Sequence, residues 1–186
     1  MEIIKLNVWQ MFRIYYTKMK KDFSKNELKP FMMIAKGMKR GDYECVGLLE
    51  GDKFLGYGVM FKHGNDYLFD YLATEKDERN KGIGAKFLNM MKDYLKDADS
   101  VIGEVEDPEF GKDEADKKLR QRRVGFYLRN GIVDTNIRVK LFGEYFYVME
   151  MVINRPHSSS EVESLYKMHY RLNLPAKMYE ENVEIL

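Results

Sequence analysis

Apolar and polar residues alternate along this chain with two distinct periods, which predict strands and helices. A period of two, or a short apolar run, predicts seven strands, at residues 2–6, 43–49, 54–62, 67–74, 101–106, 132–141 and 145–153. Helical spacing predicts five helices, at residues 8–19, 30–40, 83–95, 119–130 and 161–173. This order predicts an α/β (α+β) domain whose mixed, mostly antiparallel central sheet of about seven strands is flanked by helices.

One stretch between a strand and a helix combines glycine with positive charge. Residues 75–81 contain no apolar side chain, so we expect this loop to be solvated. Gly82 and Gly84 open the next helix, where backbone N–H groups lack intrahelical partners and the helix dipole is positive. Arg79 and Lys81 add two cations. The stretch predicts a phosphate site, although an ordinary turn with a basic surface would give the same short pattern.

Two motifs resemble those of the GNAT N-acyltransferase superfamily. Arg-x-x-Gly-x-Gly, at residues 79–84, resembles its acyl-CoA-binding signature. The helix ending with Phe126, Tyr127, Gly131 and Ile132 is similar to the end of the family's last helix. Residues 101–127 also resemble a bacterial branch of the family. The resemblance implies the GNAT fold over residues 1–153, with acetyl-CoA (coenzyme A) as co-substrate and no metal.

The resemblance also implies which residues hold coenzyme A. The loop would bind the pyrophosphate, and backbone groups of the central strand would hold the pantetheine. The implied cofactor-binding residues are Leu72, Ala73, Thr74, Arg79, Asn80, Lys81, Gly82, Ile83, Gly84 and Ala85. The chain departs from the family at Arg120 and Arg123, where many members carry Asn and a small residue. These arginines either meet the phosphates or form a solvated basic helix face.

Acetyl transfer to an amine needs a general acid for the departing thiolate and a base for the amine. By resemblance, Tyr127 is the acid, and a phenol suits that role because it is neutral at pH 7 yet donates a hydrogen bond. The alternative for Tyr127 is a core aromatic residue. Asp70 and Glu104 are equal candidates for the base, with Glu106 behind them, and each could instead be a structural carboxylate.

Composition narrows the class of protein. The net charge of +1 gives no sign of a nucleic-acid or membrane partner. A single cysteine, Cys45, excludes an intramolecular disulfide and fits a reducing cytoplasm. His63, His157 and His169 show no metal-ligand spacing, so we expect no metal. The chain shows no signal-peptide layout and no apolar run long enough to span a bilayer, so we expect a cytoplasmic protein.

The function implied is N-acetyl transfer from acetyl-CoA to a primary amine by direct attack in a ternary complex. The alternative is a non-catalytic acyl-CoA-binding module with a sensor or assembly role. The acceptor is a small-molecule or peptide amine whose identity the sequence leaves open. By resemblance, Trp9, Phe12, Tyr16 and residues 31–34 line the acceptor pocket, although each could simply be core.

Residues 154–186 form a C-terminal extension beyond the family fold. Ser160 and Glu163 have the spacing of a capping box, and they precede an apolar face of Val162, Leu165, Tyr166 and His169. Pro175 ends this helix, and the remaining tail is expected to be extended. The helix packs either on the same domain or on a partner subunit, in which case the protein is a homodimer.

Overall fold

The computed structural model describes residues 1–24 and 27–186, which form two units. The first unit contains Met1–Gly64 and Phe69–Lys96, and the second contains Asn65–Leu68 and Asp97–Leu186. The strand that enters the phosphate loop contributes its first residues to the second unit and the rest to the first.

The sheet of the first unit has the strand order β1-β2-β3-β4. Its pairs β1/β2 and β2/β3 are antiparallel. Gly51, with φ +57°, makes the tight turn of the β2/β3 hairpin. The strands are β1 Glu2–Lys5, β2 Tyr43–Glu50, β3 Lys53–His63 and β4 Asp66–Thr74.

The helices of the first unit follow β1 and β4. Asn7 caps the first helix, and it forms a capping box with Gln10. A π-helical turn, Tyr15–Met19, interrupts this helix before its short continuation. Gly41, with φ +90°, ends the second long helix. The helices are α1 Val8–Ile14, α2 Lys20–Asp22, α3 Phe31–Arg40 and α4 Ile83–Tyr94.

The buried face of α1 and the π-helical turn matches the sequence pattern in part. Helical spacing of Val8, Phe12, Tyr15 and Met19 predicts one buried stripe, of which Tyr15 and Met19 are buried and Phe12 is exposed. Met11 and Ile14 complete the buried face. The segment carries apolar residues on more than one side, and periodicity alone does not tell which of them face the core. Cys45 is buried, and burial raises the pKa of its thiol to about 12.

The sheet of the second unit has the order β4-β5-β7-β6-β8, in which β4 takes part through residues 66–68. The pairs β5/β7, β6/β7 and β6/β8 are antiparallel. The strands are β5 Ser100–Glu106, β6 Val133–Leu141, β7 Glu144–Val152 and β8 Val183–Ile185, and the helices are α5 Glu114–Arg129, α6 Ser159–Asn173 and α7 Ala176–Asn182. The predicted α/β class is confirmed, and the residues that the structure describes form eight strands where about seven were expected.

The C-terminal extension corrects two expectations. The capping box of α6 uses Ser158 and Glu161, two residues before the predicted pair. Three consecutive serines, at residues 158–160, could each cap the helix. Arg155 lies 2.8 Å from Glu161 and holds the carboxylate that pairs with Ser158, which favours the first serine. The tail is not simply extended, because it forms α7 and then β8, which pairs with β6.

The apolar face of α6 is buried within the second unit. Val162, Leu165, Tyr166 and His169 are all at most 5% exposed. The domain boundary at residue 153 and the pairing of subunits stay predictions. In residues 1–24 and 27–186, no helix combines the length and apolar content that crossing a membrane requires.

Candidate functional site

The predicted phosphate loop lies between β4 and α4. Asn80 and Gly82 both have positive φ, +63° and +77°, and they turn the chain into the helix. The first intrahelical bond runs from the Lys86 N–H to the Gly82 carbonyl, over 3.1 Å. The N–H groups of Ile83, Gly84 and Ala85 therefore precede the helical hydrogen-bond ladder, and glycine supplies no side chain to cap them. These donors can receive an anion at the positive end of the helix dipole.

The loop is not fully solvated, contrary to expectation, because Glu78 is buried. Its carboxylate accepts hydrogen bonds from Lys53, over 2.5 Å, and from Lys81, over 3.3 Å. These two bonds, the one from Lys53 foremost, lower the pKa of Glu78. A loop without apolar residues can bury a carboxylate when cations pair with it. The polar composition of residues 75–81 did not reveal this burial.

Arg79 bridges the loop to the helices that follow β1. Its side chain is 48% exposed, and its Nη2 lies 3.4 Å from Oδ1 of Asp22. The other oxygen of Asp22 accepts a hydrogen bond from the hydroxyl of Tyr57, over 2.9 Å. Lys18, in the π-helical turn, pairs with Glu75 over 2.6 Å. Two ion pairs therefore join the loop to the segment of residues 15–22.

The implied pantetheine strand, Leu72 to Thr74, is half-buried at the end of β4. A Cβ on Gly56 of β3 would lie 2.6 Å from the carbonyl oxygen of Ala73. Only glycine therefore allows β3 to lie this close to the end of β4.

Asp70 forms a buried ionic cluster in the first unit. Its side chain is 2% exposed and lies 2.6 Å from Lys29 Nζ. It also accepts a hydrogen bond from the hydroxyl of Tyr43, over 2.6 Å. Burial, followed by the charge of Asp70, raises the pKa of Tyr43 well above its ordinary value. The Asp70 carboxylate is therefore held by a cation and by a neutral donor, and a role as base stays a prediction.

Tyr127 is half-buried near the end of α5. The predicted end of this helix is present, with Gly131 at φ +74° and the Ile132 N–H bonded to the Tyr127 carbonyl. Burial raises the pKa of the Tyr127 phenol, the charge of Glu106 adds to this, and Arg123 acts in the opposite direction. The phenol is therefore protonated at neutral pH, as a proton donor requires.

The two other candidate carboxylates lie on β5. Glu104 accepts a hydrogen bond from the hydroxyl of Tyr170 on α6, over 2.6 Å. Glu106 pairs with Arg123 of α5. The contact from Tyr170 brings the C-terminal extension onto the strand of the candidate base, which the sequence did not reveal because 66 residues separate the pair.

The two arginines that depart from the family pattern differ in their surroundings. Arg120 is buried, and it donates to the Asp107 carbonyl over 3.2 Å and to Asp116 over 3.0 Å. The expected solvated basic face is therefore wrong for Arg120, because α5 begins at Glu114 and turns this residue inward. Arg123 remains about half exposed beside Glu106.

The phosphate loop fits the coenzyme that its motif implies, since it combines uncapped backbone donors with Arg79 and Lys81. The model of the acetyltransferase (GNAT) family matches residues 6–111, which is more than half of the chain. The chain belongs to the GNAT acetyltransferase family. No curated protein matches it.

Solved structures agree with the GNAT fold. A Bacteroides thetaiotaomicron protein described as a GNAT-family acetyltransferase is 18% identical, with a TM-score of 0.73 over 93% of this chain and 98% of its own. The ribosomal-protein-S18-alanine N-acetyltransferase from Escherichia coli is 15% identical, with a TM-score of 0.62 over 84% and 96%. An aminoglycoside 6'-N-acetyltransferase complexed with coenzyme A is 14% identical, with a TM-score of 0.56 over 84% and 100%.

Proposed function

We propose that this GNAT protein transfers an acetyl group from acetyl-CoA to a primary amine by direct attack in a ternary complex. The observation that carries the proposal is the uncapped start of α4, where Gly82 has φ +77° and the first N–H groups precede the helical ladder. Anions bind at such helix starts. The exposed Arg79 and Lys81 supply the cations that a pyrophosphate requires.

The proposed donor site uses two sets of residues. Asn80, Gly82, Ile83, Gly84 and Ala85 would meet the pyrophosphate through backbone groups, beside the side chains of Arg79 and Lys81. The backbone of Leu72, Ala73 and Thr74 would hold the pantetheine arm. When bound, acetyl-CoA supplies the activated thioester, and the protein positions it and excludes water.

Tyr127 is the proposed general acid. Its raised pKa keeps a proton on Oη at neutral pH, available to the departing sulfur. For the base we favour Glu104 over Asp70. Glu104 accepts from the neutral hydroxyl of Tyr170, whereas Asp70 is held by the Lys29 ammonium. A carboxylate held by a cation is a weaker base.

The test combines calorimetry with acetyl-CoA and an assay of thiol release over a panel of small-molecule and peptide amines. We expect both binding and turnover. Binding without turnover on any amine would favour the alternative, a non-catalytic acyl-CoA module. Absence of binding would refute both. A cytoplasmic location and an arrangement as a homodimer remain further proposals, to be tested by fractionation and by light scattering.

A further inference from the structure

An aromatic surface lies exposed on α1, the π-helical turn and α3. Trp9 is 78% exposed, Met32 61%, Tyr16 46% and Phe12 39%. The rings contact one another, with centroid distances of 6.0 Å between Trp9 and Phe12, 4.7 Å between Phe12 and Tyr16, and 5.3 Å between Phe12 and Phe31. We call this surface the aromatic face, and it consists of Trp9, Phe12, Tyr16, Phe31 and Met32. A contiguous exposed apolar patch of this kind marks a binding surface.

The segments that carry the aromatic face also carry cations without acidic partners. Residues 8–22 and 31–40 contain seven Lys and Arg and a single acid, Asp22, whereas the whole chain has a net charge of +1. Asp22 is already paired with Arg79. Lys18 and Arg40 pair with Glu75 and Asp42, which lie outside these segments. Among the residues that the structure describes, no carboxylate lies within ion-pair distance of the following four cations: Arg13, Lys20, Lys36 and Lys39. The helices that carry the aromatic face therefore have an excess of positive charge.

The cations lie on the same helix faces as the rings. Trp9, Arg13, Tyr16 and Lys20 recur at intervals of three and four residues, and Lys20 Nζ sits 4.4 Å from the centre of the Tyr16 ring. On α3, Lys36 is four residues after Met32. Apolar and positively charged side chains thus alternate on this surface at intervals of three or four residues.

This mixture favours a protein partner over a membrane or a nucleic acid. A helix that lies in a membrane keeps its charges on the face opposite its apolar residues, and here both share one face. Single-stranded nucleic acid needs ring faces on which bases can stack, and here Phe12 meets Trp9 and Phe31 edge to face, at interplanar angles of 73° and 80°. Tryptophan, tyrosine, phenylalanine, methionine and arginine are the residues enriched in protein interfaces.

We propose that the aromatic face docks an acidic polypeptide segment that carries apolar side chains. Its carboxylates pair with Arg13, Lys20 and Lys36, and its apolar side chains pack on Trp9, Phe12 and Met32. The complementary charges speed encounter and exclude basic partners. The resemblance gives Trp9, Phe12 and Tyr16 to the acceptor pocket, and that role stays a prediction. The present proposal concerns binding of the segment alone and stands whether or not the protein transfers acetyl groups.

Trp9 is the single tryptophan of the chain, so the intrinsic fluorescence of the protein reports on binding to the aromatic face. The probe is a short, end-blocked peptide that alternates glutamate and leucine, and its matched control alternates lysine and leucine. We expect the acidic peptide to change the fluorescence of Trp9 saturably, with an affinity that weakens as salt is added. The basic peptide should have no effect.

Variants separate the two parts of the surface. Phe12→Ser should weaken the acidic peptide about tenfold or more, while Trp9 still reports. The triple variant Arg13→Glu, Lys20→Glu and Lys36→Glu should reverse the preference and bind the basic peptide. The matched control reverses three exposed cations of the second unit, Lys118, Arg122 and Lys177, and should behave as wild type. Circular dichroism verifies that each variant is folded.

Several outcomes would overturn the proposal. One is no fluorescence change with the acidic peptide. Another is a response to phosphatidylserine vesicles or to oligodeoxythymidine in place of the peptide, which would indicate a membrane or a nucleic acid. A charge-reversed triple variant that keeps the wild-type preference would show that the cations do not select the partner.

Discussion

Lys53 Nζ lies 2.5 Å from the buried carboxylate of Glu78, within the phosphate loop. The same carboxylate holds Lys81, three residues further along the loop, at 3.3 Å. One buried group thus links the start of β3 to the loop that we propose binds coenzyme A. The two ion pairs therefore restrain the loop.

Replacing Glu78 should loosen this loop. With Glu78→Gln we expect a higher KM for acetyl-CoA and little change in kcat, because the loop positions the donor and not the reacting atoms. Glu163→Gln, which breaks a surface pair with Lys167, is the control and should leave both values unchanged. Tighter binding of acetyl-CoA by Glu78→Gln would contradict a role of Glu78 in restraining the loop. It would show that Glu78 acts only by repelling the negative charge of the ligand.

Gly82→Asp should abolish binding of acetyl-CoA, because a carboxylate would enter the anion site. Gly41→Asp is a matched control, since Gly41 and Gly82 both have positive φ and open space where a Cβ would stand. Each substitution should cost about 1 kcal/mol of stability through backbone strain. Calorimetry should show binding lost only in Gly82→Asp. Equal affinities for the two variants would place the anion elsewhere.

Tyr127→Phe should lower kcat roughly 10²–10⁴-fold, the usual range for loss of a general acid, and leave the affinity for coenzyme A unchanged. The substitution keeps the ring and removes only the hydroxyl. Tyr147→Phe, at another half-buried phenol with a raised pKa, is the control. Single-turnover rates should be measured, because slow product release could hide a change in the rate of the chemical step. A wild-type single-turnover rate in Tyr127→Phe would reduce Tyr127 to a packing residue.

Lys29→Met should destabilise the fold by about 3–5 kcal/mol, because the buried Asp70 would lose its cation. The control Lys177→Met breaks an exposed pair with Glu181 and should cost at most about 1 kcal/mol. Denaturant unfolding measures both. If the two variants were equally stable, the pair of Lys29 and Asp70 would not be a structural contact. Asp70 would then again be as good a candidate for the base as Glu104.

Glu161 should make α6 sensitive to acid. Hydrogen bonds from the Ser158 backbone, then from its side chain and from Arg155, lower the pKa of Glu161 from 4.5 to about 2. Because the pKa is lower in the folded protein, the stabilisation is complete above the unfolded value and is lost as pH falls toward the folded value. Glu161→Gln should therefore be less stable than wild type at neutral pH and approach it in acid. A difference that does not change with pH would contradict the capping role.

Local signals predicted much of the fold and of the phosphate loop. The start of α4 at Gly82 and the end of α5 at Gly131 were both predicted, because each depends on residues nearby in the sequence. The contacts that were missed join distant residues. Lys29 and Asp70 are 41 residues apart, and Lys53 and Glu78 are 25 apart. No periodicity relates such pairs, so their burial appears only once the chain has folded.

The last strand, β8, has a consequence for how this protein meets other chains. It pairs with β6 at Val139, Lys140 and Leu141, so β6 has a neighbour on each side along these residues. The strand left on the outside is only three residues long and carries Glu184 at its centre. A short edge with a charge in the middle offers a poor template for another β-strand. The fold thereby discourages growth of the sheet into aggregates from this side.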